Sequence, residues 1–297
     1  MAQGVAQDAR IRGATRKVSV AASRNSRAEA EKIIEPIIRK CQRFAEHSEA
    51  DSMPAAAMVG PDVRRVSLIF TLAQALLGDS ATGNGLEIGS GYGYLVFSMA
   101  ALMPGIRWSA VEHPDRSYLG CETYLSSFRE YDCSLQTADI LHDPLPFPDA
   151  HFQLLTFSEV LEHLPTERVN FVFSEIARVT ARGGIVIASS PNQASLENRI
   201  RLLKGQSILD MPDEMAYAKG TYGHIRLYTV AEASAAMSKL GFAVERSVIE
   251  SNNSGYRGTS KGSWRRRAHV LYEQLEKTFP LLGPMGDTWY LAFRKAV

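Results

Sequence analysis

The stretch "GLEIGSGYGYLVFS", residues 85–98, sets glycines at alternate positions behind a glutamate and then continues into apolar residues. The glycines are Gly89, Gly91 and Gly93, and the acid is Glu87. A glycine-rich turn between a strand and a helix lets a ligand approach the backbone closely at the carboxyl edge of a parallel sheet. The stretch therefore predicts a strand, a turn and a helix, with a ligand site at the turn.

The spacing of these glycines bears on which ligand is bound. A dinucleotide site prefers G-x-G-x-x-G with an acid about 20 residues later. Here the order is G-S-G-Y-G, and Glu87 precedes the glycines. Nothing in this pattern requires a pyrophosphate, and a carboxylate in this place suits a ligand with a cationic amine. Because glycine turns also occur for packing alone, the assignment depends on further motifs.

Short apolar runs alternate with helical stretches from residue 85 onward. Strands are predicted at "GLEIG", "IRWSAVE", "CSLQTAD", "FQLLTF", "GGIVIASS", "FAVERSVI" and "TWYLAFRK", and helices over 93–103, 116–129, 166–180 and 229–240. Strands that alternate with helices indicate an α/β fold, with a parallel sheet covered on both faces.

Composition limits the function classes. The 33 basic and 32 acidic residues nearly cancel, which argues against extended contact with nucleic acid. The three cysteines lie far apart without metal or redox spacing, as expected for reduced thiols in a cytoplasmic protein. No apolar run approaches the roughly 18 residues of a membrane-spanning helix.

Three regions are predicted along the 297 residues. Residues 1–27 carry six basic residues and one acid, which predicts a disordered basic tail, with an organelle transit peptide as the alternative. Residues 28–82 form an N-terminal helical cap that packs on the core or forms a homodimer surface. Residues 83–297 form the main domain, with a lid inserted at 191–230 for the substrate.

Acidic residues recur where the predicted strands end. Glu112 closes the second strand, where a carboxylate can accept both hydroxyls of a ribose. Asp139 and Ile140 close the third strand and suit the amino group and the apolar face of an adenine. The run "FSEVLEHLP", which contains Ser158, follows the fourth strand.

With these motifs in this order, residues 83–297 resemble the class I S-adenosylmethionine-dependent methyltransferases. The resemblance includes E-x-G-x-G-x-G, the acid after the second strand, A-D-I, S-E-V-L-E-H-L and "ARVTARGGIVIASSPN". It implies a Rossmann-like sheet of seven strands, mostly parallel, with an antiparallel last strand for which "TWYLAF" is the candidate. It also implies S-adenosylmethionine as cofactor and methyl transfer as the activity.

The resemblance assigns the parts of the cofactor to particular positions. Glu87 and the glycine backbone would hold its methionine end, and Ser158 would lie along the same moiety. Glu112 would bind the ribose. The full set of cofactor-binding candidates is Glu87, Gly89, Ser90, Gly91, Gly93, Glu112, His113, Asp139, Ile140 and Ser158, in which His113 lies near the adenosine or faces solvent.

Glu159, Glu162 and His163 form E-x-x-E-H, which on a helical turn would put Glu159 beside both later residues. Together with His224 they predict a site for Mg²⁺, Mn²⁺ or Zn²⁺. The set resembles that of the metal-dependent 2′-O-methyltransferases of small-RNA 3′ ends, and ubiquinone-pathway O-methyltransferases share its E-x-x-E-H part. The alternative is a capping glutamate with a histidine that lines the cofactor pocket, in which case His163 or His224 is the general base.

The lid contains a third catalytic candidate, Tyr228, in "YGHIRLYT". The alternative interpretation is that this segment leads into the next helix. Thr229 would then be the helix N-cap, Arg226 would form a salt bridge, and Leu227 and Tyr228 would belong to the core.

Three functions follow from these motifs. The first is methyl transfer to an O, N or S atom of a small molecule or pathway intermediate. The second is metal-assisted O-methylation of a macromolecular or membrane-bound acceptor, such as an RNA end, a glycan or a lipid. The third is a cofactor-binding regulator without catalysis.

Overall fold

The computed structural model describes residues 20–46, 55–209, 223–250 and 285–297. Seven strands form one sheet. They are β1 (Gly83–Ile88), β2 (Ile106–Glu112), β3 (Ser134–Thr137), β4 (Phe152–Ser158), β5 (Thr180–Pro191), β6 (Phe242–Glu250) and β7 (Thr288–Lys295).

Helices cover both faces of this sheet. Those in the described ranges are α1 (Val20–Glu46), α2 (Ala55–Leu77), α3 (Tyr94–Leu102), α4 (Glu122–Glu130), α5 (Thr166–Val179), α6 (Leu196–Leu203) and α7 (Val230–Ser238). Short 3-10 turns lie at Ser117–Gly120 and Leu161–His163.

The strand order is β3-β2-β1-β4-β5-β7-β6, and only β7 runs antiparallel to its neighbours. The predicted Rossmann-like sheet with an antiparallel last strand is therefore confirmed. The order reverses between β1 and β4, and open α/β sheets bind their ligands in the crevice at such a switch point, outside the carboxyl ends of the strands.

Successive side chains of a strand point to opposite faces of the sheet, and this alternation decides which side chains lie on the same face of the crevice. Leu86 and Ile88 pack in the core layer with α5 and α7, so Glu87 between them projects toward the opposite face. Ala110 packs in that opposite layer, and Glu112, two residues later, points the same way. The two glutamates at the ends of β1 and β2 thus share the face that α1 to α4 cover.

Helix α1 begins inside the region predicted to be a disordered tail, so that boundary is corrected for residues 20–27. The physical reason is that a side chain of α1 bonds to residues far away in the sequence. Arg27 Nη1 lies 3.0 Å from Glu250 Oε1 on β6, and Arg27 Nε donates to Ser67 Oγ on α2 at 3.0 Å. A basic composition does not reveal that these partners exist.

The N-terminal helices pack on the domain core, as one of the two alternatives predicted. Ile34 and Ile38 of α1 are fully buried with Val66 and Ile69 of α2. Pro36 lies inside α1 without dividing it into two helices. A homodimer through these helices stays a prediction.

The neighbouring residues Ile33 and Ile34 test this packing directly. Ile34→Ala leaves a cavity in the core and should lower the free energy of unfolding by about 2–5 kcal/mol in a urea titration. Ile33 is 45% exposed, so Ile33→Ala should change it by less than about 0.5 kcal/mol. Equal effects of the two substitutions would show that α1 does not pack through this face.

Candidate active site

The glycine turn after β1 needs glycine for two separate reasons. Gly89, Gly91 and Gly93 have φ values of +74°, +52° and +83°, in the left-handed region that favours glycine. A Cβ on Gly89 would also lie 2.6 Å from a methyl carbon of Val160, whereas a Cβ on Gly91 would meet nothing within 4 Å. The turn is thus packed tightly below Gly89, and its backbone is open at Gly91.

Glu87 is buried, with 4% of its surface exposed, and its Oε2 atom accepts no hydrogen bond from the described residues. Burial raises the pKa of this carboxyl well above its usual value, and the nearby Glu112 adds to the shift, whereas Arg65 opposes it. A buried acceptor without a donor costs free energy. A cationic amine placed here would satisfy Glu87 Oε2 and lower its pKa.

An arginine from the N-terminal cap reaches the same region. Arg65 Nη2 on α2 lies 2.7 Å from Asp62 Oδ1 and also bonds the Tyr94 hydroxyl, while its Nη1 lies 3.9 Å from Glu159 Oε2. The sequence motifs do not indicate this residue. The available signal was its helical spacing, because Arg65 lies one turn before the fully buried Ile69.

Glu112 links the end of β2 to the glycine turn. Its Oε2 accepts the Gly91 N–H at 2.6 Å, and its Oε1 accepts the His113 N–H at 2.8 Å. These bonds fix the orientation of the carboxylate, and Arg116 Nε also lies 3.5 Å from its Oε1.

The residues predicted to bind adenine lie together after β3. Asp139 Oδ2 lies 2.7 Å from His142 Nδ1 and 3.9 Å from His113 Nε2. Burial acts to raise the pKa of Asp139, but hydrogen bonds from His142 and from the Leu141 N–H outweigh it, and the pKa is lowered. Ile140 is half-buried beside this ionised carboxylate.

A chain of hydroxyls joins the ends of β4 and β5. Ser158 Oγ lies 2.7 Å from Ser189 Oγ, which donates to Glu159 Oε1 at 2.7 Å. Glu159 has a φ of +55°, a conformation that non-glycine residues rarely adopt and that clusters at functional sites. This conformation corrects the expected helical turn, since Glu159 points to Ser189 and Arg65 instead of toward the histidines.

The other three residues of the predicted metal set do come together. Ligand atoms of Glu162, His163 and His224 lie within 4.8 Å of one another. The segment that carries His224 is held in place because the N–H groups of Ile225 and Arg226 donate to the Glu162 carbonyl oxygen at 2.8 and 3.2 Å. Three of the four residues predicted as metal ligands therefore lie together, Glu159 is not among them, and the metal itself stays a prediction.

Glu162 is the buried member of this cluster. Its Oε2 accepts from Ser190 Oγ at 3.0 Å, while its Oε1 accepts no hydrogen bond within the described ranges. Burial raises the pKa of Glu162 well above its usual value, and the charge of Glu159 contributes. The rings of His163 and His224 lie 5.1 Å apart between their centroids, on the more accessible side.

Tyr228 takes the alternative role given for it above. It is buried in the hydrophobic core, and the Arg226 guanidinium lies 4.8 Å from its ring centroid. Arg226 Nη2 also lies 2.6 Å from Glu232 Oε1, and Thr229 caps α7 through a reciprocal bond with Glu232. The structure thus places Tyr228 in the core, and its catalytic role stays a prediction.

Comparison with known proteins agrees with this fold. Residues 86–188 match the sequence model of a family described as "Methyltransferase domain". Residues 86–188 are therefore similar to methyltransferase domains. The match runs from β1 into β5, and so includes the glycine turn, Glu112 and the residues after β4.

One curated relative is "Probable tocopherol O-methyltransferase, chloroplastic" from Oryza sativa subsp. japonica. It is 33% identical over 183 residues, which span 58% of this chain and 46% of the relative. The chain thus covers less than half of the relative's length.

Two solved structures share the methyltransferase fold at low identity. Magnesium protoporphyrin IX methyltransferase from Synechocystis PCC 6803, with bound SAH, has a TM-score of 0.53 at 14% identity, over 87% of this chain and 94% of that one. A SAM-dependent methyltransferase from Archaeoglobus fulgidus has a TM-score of 0.50 at 16% identity, over 77% and 94%. Among the described helices, none is both long and apolar enough to cross a membrane.

The packing below Gly89 gives a test of the turn. Gly89→Ala places a methyl group against Val160, in addition to the cost of about 1 kcal/mol for a positive φ. It should weaken S-adenosylhomocysteine binding, measured by calorimetry, by at least about tenfold. Gly241→Ala is the matched control, because Gly241 has a φ of +83° with nothing within 4 Å. Unchanged binding in Gly89→Ala would exclude this turn as the cofactor site.

Proposed function

We propose that the protein is an S-adenosylmethionine-dependent methyltransferase that acts on an O, N or S atom of a small molecule or pathway intermediate. The observation behind this proposal is the buried Glu87 Oε2, which lacks a donor among the described residues beside an open glycine backbone. The ammonium group of S-adenosylmethionine supplies such a donor. Glu112, held at the end of β2, supports a ribose next to it.

The charges around the glycine turn match both ends of an amino acid. Glu87 suits the ammonium group of the methionine moiety. Arg65 is close enough to lower the pKa of Glu87 and suits the carboxylate. The adenosine would then lie along Glu112 toward Asp139 and Ile140.

S-adenosylmethionine supplies a methyl group on a sulfonium, a good leaving group for in-line displacement. The chain contributes chiefly by holding acceptor and donor in line at about 3 Å. Amines and thiolates need little further help, whereas a hydroxyl of high pKa needs a base. His163 and His224, at the same edge of the sheet, are the candidates for that base.

The acceptor is proposed from the relative alone. Its printed name supports methylation of an oxygen on a small, apolar, phenol-like molecule. The word "chloroplastic" in the same name supports the alternative that the basic N-terminal residues are an organelle transit peptide. A cytoplasmic location stays a prediction.

The raised pKa of Glu87 predicts a pH-dependent affinity for S-adenosylmethionine. A cationic amine favours the ionised carboxylate, so binding releases a proton from the fraction of molecules in which Glu87 is protonated. Affinity measured by calorimetry should therefore continue to rise with pH above the ordinary glutamate pKa of 4.5, and proton release should show in buffers of different ionisation enthalpy. Glu87→Gln should remove this release and weaken binding about 10- to 100-fold, because a charged hydrogen bond is lost.

Glu35→Gln is the matched control, since Glu35 is exposed on α1 and should leave binding unchanged. Native affinity and native proton release in Glu87→Gln would contradict the role of Glu87.

The activity itself is tested by transfer of a labelled methyl group from S-adenosylmethionine into fractionated cell extract, with Glu87→Gln as the negative control. Label in the small-molecule fraction supports the proposed function. Label confined to RNA, glycan or lipid favours the macromolecular or membrane-bound alternative. Cofactor binding without transfer to any fraction favours the regulator.

A metal-assisted O-methyltransferase is the second candidate, and the cluster of Glu162, His163 and His224 supports it. Two imidazoles and one carboxylate suit Zn²⁺, and with added water ligands they suit Mn²⁺ or Mg²⁺. The Glu162 Oε1 atom that lacks a donor fits a cation equally well.

Treatment with a chelator distinguishes a bound metal from a histidine that acts as general base. If a metal binds, the protein should retain it after desalting, as measured by mass spectrometry, and both metal and transfer should be lost in His163→Ala/His224→Ala. If a histidine acts as the base instead, chelator should change nothing, while the double substitution should slow transfer about 10²- to 10⁴-fold. His151→Ala, before β4, is the control and should behave as the unmodified protein. Full activity of the double variant would exclude both roles.

A further inference from the structure

Tyr124 connects helix α4 to the glycine turn. It lies in α4 (Glu122–Glu130), its side chain is fully buried, and its hydroxyl donates to the Gly91 carbonyl oxygen at 3.1 Å. The two residues are 33 positions apart in the chain, and Tyr124 belongs to none of the sequence motifs that indicate the site. This hydrogen bond therefore depends on tertiary packing.

Gly91 is held at both of its backbone polar groups. Glu112 Oε2 accepts its N–H at 2.6 Å, and the Tyr124 hydroxyl donates to its carbonyl oxygen. The space on the Cβ side of Gly91 is open, since a Cβ there would meet no described atom within 4 Å. The left-handed backbone of Gly91, with a φ of +52°, is therefore held by hydrogen bonds and not by packing on that side.

Other aromatic rings fix the position of the Tyr124 ring. It packs edge-on against Phe128 and Tyr118, with 5.2 Å between the ring centroids in both pairs. Tyr118 in turn lies 5.0 Å from the ring of Tyr92, which follows Gly91 in the turn. Aromatic rings prefer this edge-to-face geometry, so the hydroxyl has a defined position. Burial raises the pKa of Tyr124, and its hydroxyl therefore keeps its proton and remains a donor.

We propose that Tyr124 is a positioning residue for the cofactor site, because its hydroxyl holds the Gly91 carbonyl group and thereby keeps the Gly91 N–H on the Glu112 carboxylate. Since Tyr124 is fully buried, it acts through the turn and not by contact with a ligand. The link from Glu112 to a ribose rests on the proposed function. A tyrosine that only stabilised the fold would leave the affinity for the cofactor unchanged.

Calorimetry with S-adenosylhomocysteine on the full chain tests this role. Tyr124→Phe keeps the ring and its aromatic contacts and removes only the hydroxyl. Loss of this hydrogen bond should weaken binding about three- to tenfold. Tyr131→Phe is the matched control, because Tyr131 stacks on Phe97 at 5.0 Å in the same apolar layer, and it should bind as the unmodified protein does.

A second background separates positioning from general stabilisation. In Glu112→Ala the acceptor of the Gly91 N–H is gone, so Tyr124→Phe should there change the affinity by less than about twofold. A purely structural role would give the same fold-loss in both backgrounds.

Hydrogen exchange at the Gly91 amide, followed by NMR without ligand, tests the contact itself. This amide should exchange at least about fivefold faster in Tyr124→Phe, because the turn that presents it to Glu112 opens more often.

Three results would overturn the proposal. The first is native affinity in Tyr124→Phe, and the second is an equal loss of affinity in both backgrounds together with a lowered melting temperature. The third is unchanged exchange of the Gly91 amide. If the unmodified protein bound no S-adenosylhomocysteine while the Gly91 amide still responded to Tyr124→Phe, the proposed function would fail and the support of Gly91 by Tyr124 would stand.

Discussion

The hydrogen bond from the Gly91 N–H to the Glu112 carboxylate, 2.6 Å long, joins the two halves of the candidate site. It connects the turn after β1 to the end of β2, strands that are neighbours in the sheet but separated by a whole helix in the chain. The bond forms because Gly91 adopts a left-handed conformation and turns its N–H toward β2. Without that turn, the open backbone and the two glutamates would not face one ligand.

Much of the fold follows from local patterns. The run "IRWSAVE" coincides with β2 (Ile106–Glu112), and the helix predicted over 166–180 is α5 (Thr166–Val179). Apolar periodicity is enough there, because each element buries a face that its own residues define. The start of α1 was not predictable in this way, since Arg27 pairs with Glu250, 223 positions away.

The residues of the candidate site likewise divide into those that local sequence patterns indicate and those that only tertiary packing brings in. Glu87, the glycines and Glu112 belong to a motif whose spacing sets their geometry, so sequence alone indicated them. Arg65 comes from a helix outside the motif and reaches the site only through tertiary packing. The E-x-x-E-H motif was expected to form a helical turn. Glu159 breaks that turn because its backbone adopts a left-handed conformation.

The described structure departs from ordinary folding rules at two buried carboxyl groups. Glu87 and Glu162 each have one carboxyl oxygen that lacks a donor in the described structure. Each departure costs folding free energy that the remaining core must offset. A cofactor at Glu87 and a cation or substrate at Glu162 would each remove one such cost.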